Sequence, residues 1–188
     1  MGKCLLAFPT HSTLLADVHY NVKEYCEVLK QLGQNFDSVR ICLYWKDINR
    51  RIDKTYKNFG FECVTAGHMF DPLFLPRLKS IIETATITTS NAVGTQIGYC
   101  LFMNMPHYLY KQDFQVTCNK QQIINNDITI LNDEVYALEK AFSKFNDKIT
   151  KEQKEIVSFY WGFDCLKSPS EMRAIFDSAE NIYQQNIN

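Results

Sequence analysis

The regular alternation of short apolar runs with amphipathic stretches constrains this chain more than any other feature. Lys3–Phe8 is an apolar run ended by Pro9, as expected of a strand buried on both faces. Asn21–Gln34 sets Val22, Tyr25, Cys26, Leu29 and Leu32 on one helical stripe, with Gly33 near its end. Ser38–Trp45 reads as a second strand. Asp47–Asn58 follows as a helix N-capped by Asp47 and closed by Gly60, and Phe61–Thr65 as a third strand. Pro76 suits a first helical turn, so the next helix is expected from about Leu75 to Ala85. Thr86–Thr89 is a fourth strand, Gln96–Met103 a small-residue helix, and Pro106–Lys111 a fifth strand. Parallel strands joined through helices demand right-handed crossovers and a sheet covered on both faces. The expected fold is therefore α/β: a single Rossmann-like, doubly wound parallel sheet of about five strands with a C-terminal helical tail.

The rhythm changes near Gln112. Gln112–Ile130 is polar apart from a short β-like patch at Ile128–Ile130. Helices are expected over Asp133–Lys148, after a capping box at Thr150 and Gln153, and after a second box at Ser168 and Glu171. The expected division is a Rossmann-like unit at 1–115, to which the resemblance described below adds nucleotide-sugar binding, and a helical extension packed on it at 116–188.

Composition is ordinary for a globular protein, at 46% hydrophobic and 22% charged over 188 residues. A net charge of −1 gives no reason to expect a nucleic-acid partner. With no membrane-length apolar run and no leader pattern, the chain is expected to be cytoplasmic, with peripheral membrane contact left open. Seven cysteines without a C-x-x-C spacing read as reduced, mostly buried thiols, and no metal-ligand constellation occurs.

In a doubly wound sheet with strand order 3-2-1-4-5, ligands bind beyond the carboxyl ends of the first and fourth strands, where the winding reverses. The loops there are Pro9–Thr13 and the elbow Ser90–Thr95, and Gly67-His68 opens on the same rim. The elbow precedes a helix, whose unpaired N–H groups and dipole favour an anion, and Gly94 and Gly98 allow close approach. Thr10, Ser12, His68, Ser90, Asn91, Gly94 and Thr95 are thus candidates for phosphate contact, and His11 for acid–base work. His107 reads as structural and His19 as loop packing. Arg50, Arg51 and Lys54 read as a solvated helix face, and Phe159, Tyr160, Trp161 and Phe163 as packing. The first strand lacks G-x-G-x-x-G, no phosphate-loop lysine motif occurs, and no G-x-S-x-G elbow supports a serine nucleophile. Asp47 is placed as a ribose-binding acid would be, but also serves as an N-cap.

Phe8-Pro9-Thr10-His11-Ser12, Cys42–Asp47, Gly60–His68, Arg77–Ile82 and Thr89–Tyr99, in this order, resemble the C-terminal donor-binding half of bacterial surface-polysaccharide glycosyltransferases of the GT-B type. The resemblance covers residues 3–111 and, loosely, 160–176. It implies a nucleotide-sugar donor and metal-independent hexosyl or sialyl transfer without a cofactor. It places the donor phosphate on His68 and the Ser90–Thr95 elbow, and His11 near the reacting centre. In sialyltransferases of that type a His-Pro element and a serine-rich element hold the cytidine nucleotide. Here Met69 follows His68 and Asn91 stands in the serine-rich position. Such enzymes carry two Rossmann-like domains and this chain has room for one, so either an N-terminal acceptor domain or another chain would complete the site, or the chain is a stand-alone relative. Two alternatives stand beside this reading: a non-catalytic assembly or regulatory module, and half of a sugar-nucleotide epimerase.

Overall fold

The computed structural model describes residues 2–118, 121–123 and 132–187. A five-stranded parallel sheet is built from β1 (Cys4–Phe8), β3 (Ser38–Cys42), β4 (Glu62–Val64), β5 (Ile87–Ser90) and β6 (His107–Leu109). Its spatial order is β4-β3-β1-β5-β6, which is 3-2-1-4-5 when only these strands are counted. β1 is central and buried at every position. It pairs with β3 through Leu5 opposite Val39 and with β5 through Ala7 opposite Thr89.

The pleat divides the core. Leu5, Ala7, Ile41 and Ile87 point to one face, where they meet Tyr25, Cys26 and Leu29 of α1 (Val22–Leu32) and Tyr56 of α3 (Ile52–Asn58). Leu6, Phe8 and Cys42 point to the other, against Leu78 and Ile82 of α4 (Phe74–Glu83) and Cys100 of α5 (Thr95–Phe102). Asn21 caps α1 by accepting from the Glu24 N–H at 3.1 Å. A third cluster joins Ile97 and Leu101 of α5 and Leu109 of β6 to α6 (Asn132–Phe142) and α7 (Lys151–Trp161), through Leu138, Phe142 and Val157. The Thr150–Gln153 box caps α7 in both directions, and Ser168 and Glu171 exchange bonds before α8 (Pro169–Ile187).

Three local expectations are corrected. Asp47 is not a cap: Tyr44 holds that position for the short α2 (Trp45–Asn49), and Arg51, with φ at 66°, separates α2 from α3. Arg50 is no solvated side chain, as its contacts below show. A second, antiparallel sheet forms, with β7 (Phe114–Cys118), in the stretch expected to be polar, between β2 (Ala16–Tyr20), where no element was expected, and β8 (Gln121–Ile123). β7 crosses residue 115. The β-like patch at 128–130 lies outside the described residues.

Candidate functional site

The carboxyl ends of β1, β3 and β4 and the first turn of α5 surround an open cleft. Phe8, Pro9 and His11 line it from the first loop, and Cys42, Leu43 and Tyr44 from the second strand's end. Ala66 and Gly67 follow β4, Phe74 and Leu78 come from α4, and Thr95, Gln96 and Tyr99 from α5. Gly67 sits at φ 87°, in the left-handed region that favours glycine, and turns the chain out of β4. Arg77 steadies that turn by donating to Ala66 O at 3.4 Å and pairing with Asp71 at 2.7 Å.

A file of aromatic rings runs along the rim. His11 lies 4.7 Å from Tyr44, centroid to centroid, Tyr44 5.9 Å from Trp45, Trp45 5.0 Å from His68, and His68 5.2 Å from Phe70. The two histidines carry opposite hydrogen-bonding character. His11 Nδ1 lies 3.1 Å from Ser12 O, and a carbonyl only accepts, so Nδ1 bears the hydrogen and the neutral ring's Nε2 is left as an acceptor. His68 Nδ1 accepts from the Phe70 N–H at 3.1 Å, so its Nε2 bears the hydrogen and donates.

Of the residues singled out from sequence, His11 and Thr95 line the cleft, Gly94 begins the turn into α5, and His68 stands on the rim beside Trp45. Ser90, Asn91 and Ser12 serve the scaffold, and Thr10 joins it through its backbone N–H. Ser90 is fully buried, its hydroxyl bonded to Ala92 O at 2.9 Å and to His107 Nε2 at 3.0 Å. Asn91 is also fully buried: its Oδ1 accepts from the Thr10 N–H at 2.6 Å and its Nδ2 donates to Gln112 at 3.0 Å. Asn91 and Thr10 thus hold the two loops at the winding reversal together. Ser12 faces away from the cleft. Its hydroxyl accepts from the Val18 N–H and from Arg50, while its N–H reaches Asp47 at 3.3 Å. Asp47 is buried in that knot, with Arg50 at 3.7 Å, and burial raises its pKa above the usual carboxylate value. It does not line the cleft and is not placed to meet a ribose there.

The approach allowed by Gly98 is taken by the chain itself, for the indole of Trp161 packs against it. Gly94 is crossed by the Gln96 side chain, which folds back to donate to Ala92 O at 2.9 Å. His107 is confirmed as structural: Thr88 at 2.8 Å and Ser90 at 3.0 Å hold its two nitrogens. Burial lowers its pKa to about 3, so it stays neutral near pH 7. Tyr44, Gln96 and Tyr99 were missed from sequence. Strand-end position marks Tyr44, and spacings of one and four from Thr95 mark the other two.

Among the described residues no group of His, Cys, Asp and Glu is arranged to hold a metal, and no helix is long and apolar enough to cross a membrane. Burial lifts the thiols of Cys42 and Cys100 to about 12, which makes them poor nucleophiles. Fold and cleft together define a Rossmann-like α/β protein with an open crevice at the carboxyl edge of its sheet. No family model, no curated protein and no solved structure matches the chain.

Proposed function

We propose that the cleft binds the nucleotide of an activated sugar, and that the chain is the donor-binding part of a GT-B-like glycosyltransferase. The observation that carries this is a cleft at the carboxyl edge of the sheet that joins His11 and Tyr44 to the amino end of α5, with His68, of opposite hydrogen-bonding character to His11, on the aromatic rim. Tyr44 offers a face for a base or sugar ring. The Thr95 hydroxyl, the first N–H groups of α5 and the Nε2–H of His68 would take the phosphate. His11 Nε2 would accept a proton at the reacting end.

The cleft lining contains no lysine, arginine or carboxylate. Charge leaving with the nucleotide would be met by oriented dipoles and neutral donors. With no carboxylate in this lining, the proton of the acceptor hydroxyl would pass to His11 Nε2, and the surface that holds the acceptor would come from a further domain or another chain.

The test is thermal unfolding of the full chain against UDP-, GDP- and CMP-sugars and the free nucleotides. A true ligand at a hundredfold excess over its dissociation constant adds about 2.7 kcal/mol. His11→Ala and Thr95→Ala, both at exposed positions, should remove most of that gain without changing the unliganded melting point. If no nucleotide moves the transition at millimolar concentration, the donor-binding reading is rejected and the assembly-module reading takes its place.

A further inference from the structure

Every described side chain of α8 is exposed, although the helix is 19 residues long and amphipathic. Met172, Ile175, Phe176, Ala179, Ile182 and Tyr183 recur at helical spacing along one side, with Phe176 64% and Tyr183 61% exposed. In proteins most of a helix's stability comes from packing its amphipathic face against a partner. We propose that α8 is a homodimer interface, in which two copies pair antiparallel across a two-fold axis at Ala179.

The stripe is symmetric about that residue. Phe176 and Ile182 stand three positions either side of Ala179, Ile175 and Tyr183 four, and Met172 and Asn186 seven. An antiparallel pair centred there brings Phe176 of each copy onto Ile182 of the other, and Ile175 onto Tyr183, so one patch complements itself. Ala179 at the crossing lets the two axes come within about 8 Å, the near end of helix packing distances.

Area favours the same partner. The exposed apolar side chains of α8 offer on the order of 600 Å² per copy, as much as the largest patch on a typical monomer. Pairing two copies hides on the order of 1,200 Å², where stable specific interfaces begin. A bilayer is the poorer fit, since Glu171, Asp177 and Glu180 outnumber Arg173 on the helix and would be repelled by anionic lipid. This inference does not rest on the nucleotide reading.

Sedimentation equilibrium of the full chain across micromolar concentrations is the test. The expected mass is twice the 21.9 kDa of one chain. Phe176→Asp or Ile182→Asp should weaken the dimer roughly tenfold or more, while Arg173→Glu on the polar side should leave it unchanged. In a Cys165→Ser background, Ala179→Cys should cross-link to itself, and Phe176→Cys only when Ile182→Cys is also present. A monomeric wild type, a dimer indifferent to Phe176→Asp, self-linking of Phe176→Cys alone, or α8-dependent binding to anionic vesicles would each overturn the proposal.

Discussion

The indole of Trp161 fills the space beside Gly98: a Cβ there would stand 2.6 Å from the ring atoms Cδ1 and Nε1. This contact ties α7 to α5, the helix whose first turn lines the cleft. Gly98→Ala should gain about 0.5–1 kcal/mol from helix propensity and lose about 1–3 kcal/mol to overpacking against a rigid ring. Overpacking wins, and the expected net loss is about 1–2 kcal/mol by chemical denaturation. The sign should reverse in a Trp161→Ala background, where only the propensity gain remains. Equal losses in both backgrounds would mean that the ring does not set the requirement for glycine.

His107 makes the fold sensitive to acid. Thr88 and Ser90 also reach the carbonyls of Pro106 and Ala92, both at 2.9 Å, and a neutral imidazole has one N–H and one lone pair. One hydroxyl therefore receives the ring hydrogen while the other gives its own to the ring. With a folded pKa near 3 against 6.5 for the free group, the unfolded chain holds a proton between those values that the folded chain lacks. Stability from this residue is complete above pH 6.5 and is lost as pH falls through the window, by a little over 1 kcal/mol per pH unit at most. His107→Phe leaves both hydroxyls their carbonyls and removes the titration. The variant should flatten the stability profile between pH 5 and 6.5, read as unfolding midpoints in urea. An unchanged slope would show that His107 is not its source.

The strand order was legible because each parallel strand is a local apolar run and the crossover rule leaves few ways to connect them. The antiparallel sheet was not, because Ala16–Tyr20 and Phe114–Cys118 alternate weakly and pair across nearly the whole Rossmann unit. His11, Gly67 and Thr95 were found at the cleft because strand-end and helix-start positions fix them. Ser90 and Asn91 have the same sequence credentials, yet His107 and Gln112, both at or beyond β6, turn them inward. Which hydroxyl faces a ligand and which faces the core depends on a neighbouring strand, and local pattern does not carry that information.

Arg50 gathers contacts from α2, β2 and the first loop: Ser12, Val18 O at 3.3 Å, His19 at 3.4 Å, and the carboxylates of Asp47 and Asp17. Removing it strands the buried Asp47 charge, so Arg50→Ala should cost about 2–3 kcal/mol at pH 7, below the full buried-pair value because Arg50 is partly exposed. Asp47→Asn keeps an acceptor for the Ser12 N–H and needs no counter-charge, so Arg50→Ala should cost less than half as much in that background. The raised Asp47 pKa sets the pH sign: the folded chain holds this proton to higher pH than the unfolded chain, and Asp47 costs stability as pH rises above 3.8. Asp47→Asn should therefore recover stability at pH 7 relative to pH 4. Equal Arg50→Ala losses in both backgrounds would remove the charge argument.

Tyr44 links the two histidines of the rim, 4.7 Å from His11 and 6.4 Å from His68. A base or sugar ring lying on it would gain about 1–3 kcal/mol, the range measured for nucleobases on aromatic side chains. Tyr44→Leu keeps the bulk and removes the π-face. Binding of a nucleotide sugar should weaken by roughly five- to a hundredfold, while a sugar phosphate held only at the start of α5 should bind as before. Titration calorimetry with the two ligands separates these contributions. Equal weakening for both would move the stacking site away from Tyr44, and no weakening for either would place the nucleotide outside the rim.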